Sequence, residues 1–167
     1  MGRHVLVLVR RARSEDHEAI GEATVAAYED FLTSDEDFYI ERLRDSASRD
    51  RDAELWVAAD EESGEVLGSV TLCPVGSPWR EIRADDEAEF RMLAVAPGAQ
   101  RRGVGSALMD LVVRRAREDG ARGIVLSSLG EMTAAHRIYA RQGFERVPDR
   151  DWSPVPDVHL VAFRKEL

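Results

Sequence analysis

The chain opens on Val5-Leu6-Val7-Leu8-Val9, an unbroken apolar and β-branched run that predicts a first strand buried on both faces. Ser14 then offers an N-cap, with Glu15, Asp16 and Glu18 placed to complement the helix dipole. Ile20, Ala23, Ala27 and Phe31 recur at helical spacing, which predicts a helix over 15–32. Ser34 with Asp35, Glu36 and Asp37 repeats the start signal for a second helix reaching about Ser48, with Phe38, Ile40, Leu43 and Ala47 facing inward.

Two β-rich runs, 54–59 and 66–72, flank a polar loop containing Gly64 and read as a hairpin. Pro74, Gly76 and Pro78 mark 74–86 as a loop, in which Trp79 is either a packing anchor or part of a substrate wall. A strand over 90–95 stops at Ala96-Pro97-Gly98. A long helix then starts at Gly103, carries Val104, Ala107, Leu108, Leu111, Val112 and Ala116 on one face, and closes at Gly120. A strand at 124–127, a helix at 133–141 ending before Gly143, and strands at 144–147 and 158–163 complete the pattern. The last two strands are separated by a polar loop bearing Trp152. The order βααβββαβαββ is a mixed α/β arrangement within one domain spanning 1–167, not a plain doubly wound alternation.

At 167 residues, 44% of them hydrophobic, such a domain buries a core without disulfides or metals. Cys73 is the single cysteine, which excludes an internal disulfide and a cysteine-based zinc site and fits a reducing cytoplasm. The first apolar run is shorter than the roughly 7–15 residues of a signal-peptide core, and no run approaches the roughly 18–20 of a membrane span. The net charge of −9, from 23 basic and 32 acidic side chains, disfavours nucleic acid and anionic membranes as partners. It suits a cationic partner such as an amine, although plain solubility is the favoured explanation.

One segment carries chemistry. Gln100-Arg101-Arg102-Gly103-Val104-Gly105-Ser106 joins a strand end to a helix start. Glycines there let the backbone approach a ligand, and the first helical N–H groups point outward at the positive end of the dipole. Arg101, Arg102 and the Ser106 hydroxyl reinforce an anion site. A Walker loop would need Lys after these glycines, and a dinucleotide fingerprint would need a third glycine where Leu108 stands. A Gly-rich turn that merely starts a helix remains the bland alternative.

Glu89-Phe90-Arg91-Met92-Leu93-Ala94-Val95, then Pro97 and Gln100-Arg101-Arg102-Gly103-Val104-Gly105, resembles the central motif of the GNAT superfamily of acetyl-CoA-dependent N-acetyltransferases. Downstream, Ala135-His136-Arg137-Ile138-Tyr139-Ala140-Arg141-Gln142-Gly143-Phe144 resembles its second motif, which ends in Tyr-x-x-x-Gly-Phe. The resemblance implies a GNAT fold: an α/β (α+β) domain whose mixed sheet of six to seven strands splays in the middle, flanked by about four helices. It implies acetyl-CoA as cosubstrate, with no metal. The backbone of Leu93, Ala94 and Val95 would meet the pantetheine arm, and the N–H groups of 101–106 the pyrophosphate.

It also implies roles for side chains. Glu89 stands where several members place a catalytic glutamate, and a base would relieve the shortage of neutral amine, ~0.1% for a lysine-like group near pH 7.4. Tyr139 matches the tyrosine that protonates the departing thiolate. Met132 replaces an asparagine that in many members contacts the coenzyme arm. Acceptor walls would come from Tyr28, Phe31, Phe38, Tyr39, Trp79 and Trp152, and amine anchors from Glu29, Asp30, Asp35, Glu36 and Asp37. His136 lies on the same helix as Tyr139 and is read as packing. The expected activity is acetylation of a primary amine in a ternary complex. The alternatives are a non-catalytic acyl-CoA-binding module and an aminoglycoside- or polyamine-type enzyme. Family members often dimerise, so the resemblance allows a homodimer, while the sequence itself leaves the oligomeric state open.

Overall fold

The computed structural model describes residues 6–32, 37–74 and 77–167, without the side chains of Asp37 and Phe38. Seven strands form one sheet: β1 (Val7–Arg11), β2 (Glu54–Asp60), β3 (Val66–Cys73), β4 (Glu87–Val95), β5 (Gly123–Leu129), β6 (Glu145–Arg146) and β7 (Leu160–Glu166). Their spatial order is β1-β2-β3-β4-β5-β7-β6. All neighbours pair antiparallel except β4 and β5, which run parallel. Five helices accompany the sheet: α1 (His17–Tyr28), α2 (Asp37–Arg44), α3 (Ser46–Asp52), α4 (Val104–Glu118) and α5 (Thr133–Arg141).

Alternation along the strands sorts the helices onto the two faces. Val70, Leu72 and Phe90 face α4 and α5, where Leu108, Met109, Val112, Tyr139, Phe144 and Phe163 complete the main core. Cys73 faces the other side, in a cluster with Val25 of α1, Leu43 of α2 and Trp79. Farther out, Ile20 packs on Leu55 and Val57.

Two features of β4 shape the middle of the sheet. Its pairing with β5 covers only Glu87–Gly123, Ala88–Ile124 and Glu89–Val125, after which the strands diverge. On its other edge Ser69 pairs with Ala94 but Thr71 with Arg91, so Met92 and Leu93 together face Val70. This bulge puts Met92 at φ 53°, a left-handed conformation uncommon for a non-glycine residue. The bulge lies just beyond Glu89, the last residue of β4 paired with β5. At the closed end Glu87 holds the strands together: Arg150 and Arg164 reach its carboxylate at 2.7 and 2.6 Å, and the Ala84 N–H at 2.9 Å.

Several expected boundaries shift. The first strand is an edge strand paired only with β2, and Leu8 is 46% exposed, so it is not buried on both faces. The helix expected over 15–32 is a 3-10 turn at Ser14–Asp16, then α1, then a second 3-10 turn at Glu29–Phe31. Arg13, not Ser14, caps the first turn, because its N–H bonds the Asp16 carboxylate at 2.8 Å. The next helix is two, α2 and α3. Asp45 leaves helical geometry at ψ 67° and accepts from the Ser48 N–H at 3.2 Å, a cap that starts the chain coiling again. β4 starts at Glu87 rather than 90, β6 shrinks to two residues, and β7 runs on to Glu166. Ser34, Asp35 and Glu36 lie outside the described residues, as does Val5 at the chain start. Among the described residues no helix is long and apolar enough to cross a membrane.

Candidate functional site

After Val95 the chain makes a 3-10 turn at Pro97–Ala99 and then a left-handed step at Arg101 (φ 67°) and another at Gly103 (φ 77°). Gly103 caps α4, and the first i→i−4 bond in the helix is Ala107 N–H to Gly103 O at 3.0 Å. The N–H groups of Val104, Gly105 and Ser106 therefore have no carbonyl partner within the helix. Alternating left- and right-handed residues gather such N–H groups into a concavity that attracts anions. Gln100, Arg101, Arg102, Gly103 and Ser106 are exposed, while Val104 and Gly105 are buried against the core. A Cβ on Gly103 would meet nothing within 4 Å, so its glycine serves the left-handed backbone. Arg101 adopts the same geometry without that freedom, a local cost that points to function.

The divergence of β4 from β5 opens a cavity of about 390 Å³. Phe90, Arg91, Met92 and Leu93 form its β4 wall, and Ser127, Ser128 and Leu129 its β5 wall. Tyr139 of α5 closes one end. Tyr28, Phe31 and Leu32 come from α1 and the turn after it, Tyr39 and Arg42 from α2, and Pro154, Val155, Asp157, Val158, His159 and Leu160 from the last loop and the start of β7. Leu93 and Ala94 are buried and Val95 half-buried, and beyond Glu89 the β4 edge that faces β5 has lost its strand partner.

Tyr139 sits in an aromatic box with Phe90, Phe144 and Phe163 at centroid distances of 5.8, 6.1 and 5.6 Å. Burial pushes its phenol well above the usual tyrosine range, which keeps it a neutral donor. His136 packs on Phe163 and its Nε2 lies 3.1 Å from both Ser128 Oγ and Leu129 O, tying α5 to the end of β5. Burial lowers its pKa. Met132 is buried at the N-cap of α5 and its side chain makes no cap bond.

Glu89 is fully buried and does not line the cavity. Its Oε1 accepts from the Glu81 N–H at 2.8 Å and the Arg83 N–H at 3.3 Å, and both oxygens lie 3.3 Å from the Ile82 N–H. Glu81 does line the cavity, with Arg91 Nε 2.9 Å from its carboxylate. Burial raises the Glu81 pKa, partly offset by Arg91 and helped by the like charge of Glu89. Nothing in the sequence separated Glu81 from its acidic neighbours. Arg91 could have been found, since alternation along β4 puts it on the same face as Glu89.

Of the expected acceptor residues, Tyr28, Phe31 and Tyr39 line the cavity, and Glu29 and Asp30 do not. Trp79 lies beneath, with the Arg42 and Arg91 guanidinium groups 4.6 and 5.7 Å from its ring centre. Trp152 donates from its indole to Ser127 Oγ at 2.9 Å, behind the β5 wall. The side chains of Phe38, Asp35, Glu36 and Asp37 lie outside the described residues. Arg42, Ser127, Ser128, Glu131, Asp157 and His159 line the cavity without having been singled out by sequence. Among the described residues no group of three or more His, Cys, Asp or Glu could hold a metal ion.

Known proteins are similar to this chain in sequence and in architecture. A mycothiol acetyltransferase from Cellulomonas flavigena is 31% identical over 128 residues, covering 69% of this chain and 35% of that protein. Human N-acetyltransferase 8B is 30% identical over 113 residues, covering 65% of this chain and 47% of its own length. The chain thus spans about a third to a half of the length of these curated relatives. Among solved structures, the PaiA N-acetyltransferase of Thermoplasma acidophilum, crystallised with coenzyme A, superposes with a TM-score of 0.73 at 14% identity, over 97% of this chain and 99% of its own. A GCN5-related N-acetyltransferase from Kribbella flavida gives 0.64 at 25% identity, over 96% and 98%. The family model described as "Acetyltransferase (GNAT) family" matches residues 12–144, a span that holds the splayed strands, the left-handed turn and Tyr139. The chain belongs to the GNAT acetyltransferase family.

Proposed function

We propose that this chain is an N-acetyltransferase that moves the acetyl group of acetyl-CoA to a primary amine while both are bound. The observation that supports the reading is the opening between β4 and β5, lined by the buried phenol of Tyr139, together with the left-handed turn that starts α4. The residues present fit the cosubstrate. The turn over 100–106 offers helix N–H groups, Arg101 and Arg102 to a pyrophosphate. The freed edge of β4 at Leu93–Val95 offers main-chain groups to an amide-bearing arm, as a sheet edge does to an added strand.

When bound, acetyl-CoA supplies an activated acyl carbonyl and a thiolate leaving group. Tyr139 supplies the proton that the thiolate needs, and its apolar box keeps the phenol protonated until then. The cavity holds the acceptor, and Glu81, Glu131 and Asp157 of its lining offer partners to a cationic amine, with Arg42 and Arg91 lining it as well. The reading takes the chain as one acetyltransferase domain acting in the cytoplasm, where its lone buried thiol stays reduced.

The test is coenzyme A release across a panel of amines, comparing wild type with Tyr139→Phe. Wild type turns over at least one amine, and the variant loses kcat by ~10²–10⁴-fold with its acetyl-CoA affinity intact. Tight acetyl-CoA binding without turnover of any amine would leave a binding module and refute the enzyme.

A further inference from the structure

The mechanism so far lacks a group to take the proton from the incoming ammonium. Four acidic side chains bear on the question, and burial separates them. Glu131 and Asp157 line the cavity but are exposed, so water rather than protein solvates them. Glu89 is fully buried, does not line the cavity, and its Oε1 accepts from the N–H groups of Glu81, Ile82 and Arg83. Glu81 alone faces the cavity with a largely buried carboxylate, 18% exposed.

Resting on the acetyltransferase reading above, we propose that Glu81 is the general base for the acceptor amine, and that Glu89 is a positioning residue that holds the Glu81 loop in place through its backbone. The geometry of both carboxylates supports it. Glu89 and Arg91 lie on the same face of β4, two residues apart, and both meet residue 81. Glu89 takes its N–H at 2.8 Å, and Arg91 lies 2.9 Å from its carboxylate while donating to Trp79 O at 3.0 Å. Glu81 is thus held at its main chain and at its side chain by one strand. A loop carboxylate so fixed is as well placed as one on the sheet.

In the step itself an N–H bond of the ammonium breaks and its proton passes to a Glu81 carboxylate oxygen. The electron pair stays on nitrogen, which becomes the nucleophile. The charged groups that face Glu81 are Arg91, Arg42 and Glu89, with the Tyr39 phenol and Cys73 thiol also close. Burial raises its pKa above that of an ordinary glutamate, in the direction that favours a base working near neutrality.

The deciding experiment is the pH dependence of kcat/KM for wild type, Glu81→Gln and Glu89→Gln, with an amine that wild type turns over and a parallel measurement of acetyl-CoA affinity. Wild type shows an acid limb and then a plateau. Glu81→Gln falls ~10²–10⁴-fold at neutral pH with acetyl-CoA affinity unchanged. It must then rely on amine already deprotonated in solution, so its kcat/KM rises about tenfold per pH unit toward the amine's own pKa of ~10.4. In Glu89→Gln the acid limb persists but moves to lower pH, because the like charge beside Glu81 is gone. Glu81→Gln within threefold of wild type, or with wild-type pH dependence, overturns the assignment. So does loss of the acid limb in Glu89→Gln alone, which would make Glu89 the base. A wild type inactive on every amine overturns the acetyltransferase reading and this assignment with it.

Discussion

A Cβ placed on Gly105 would lie 2.9 Å from Ile138 Cδ1, so the two sequence motifs meet in space at a position that only glycine fits without adjustment. Gly105 belongs to the first turn of α4, and Ile138 precedes Tyr139 on α5. The second glycine of the turn before α4 therefore packs closely, and the contact couples that turn to the helix that carries the proposed acid. Gly105→Ala is expected to cost under about 1 kcal/mol, because the obstructing atom is the end of a flexible side chain. Gly105→Val is expected to cost about 1–3 kcal/mol by overpacking and to lower coenzyme A affinity as α5 is pushed away. Thermal melts with and without coenzyme A separate the two.

Arg101 gives a variant in which stability and binding part company. Its φ of 67° costs a non-glycine residue on the order of 1 kcal/mol. Arg101→Gly removes that strain but also one guanidinium from the turn. Stability should hold or rise slightly, while affinity for coenzyme A falls more than affinity for dephosphorylated pantetheine. Calorimetric titration of both ligands measures it, and equal losses would argue against a pyrophosphate at this turn.

Glu87 sets the response to acid. Burial disfavours its charge, but hydrogen bonds from Arg150, Ala84 and Arg164 outweigh it and lower its pKa from 4.5 to about 2. A carboxyl whose folded pKa is depressed contributes stability above its unfolded value and loses it as pH falls through the folded one. That contribution should be complete above about pH 4.5 and vanish toward pH 2. Glu87→Gln, less stable at neutral pH, should show a flatter dependence of Tm on pH across this window.

Cys73 should be inert in the native protein. It is 1% exposed, and burial beside the Glu89 carboxylate pushes its thiol up to about 12. A thiol reagent at pH 8 should find no reactive group in the folded chain and one per chain in denaturant. A rapid native reaction would mean that the Glu81 loop opens.

Much of the fold was legible because local patterns carry it. The helical stripe from Val104 to Ala116 and the left-handed stop at Gly120 follow from side-chain period and backbone sterics, and the structure shows both. The turn before α4 was legible for the same reason, since unpaired N–H groups at a helix start are a local property. The break between α2 and α3 was missed because one aspartate, Asp45, caps a helix within a stretch that reads as continuous.

What the tertiary structure decided lies between segments distant in sequence. The bulge at Met92–Leu93 is a register shift against β3, and the cavity lies where β4, unpaired beyond Glu89, parts from β5. Neither can be read from β4 alone. The sequence offered Glu89 as the carboxylate of this site, conspicuous at the head of a motif. Folding decides what Glu89 touches: its Oε1 accepts from three backbone N–H groups, while Glu81, eight residues earlier in an unpatterned loop, faces the cavity. Residue type is fixed by the sequence, but solvation and hydrogen-bond partners are fixed by the neighbours that folding brings, and those set what a carboxylate can do.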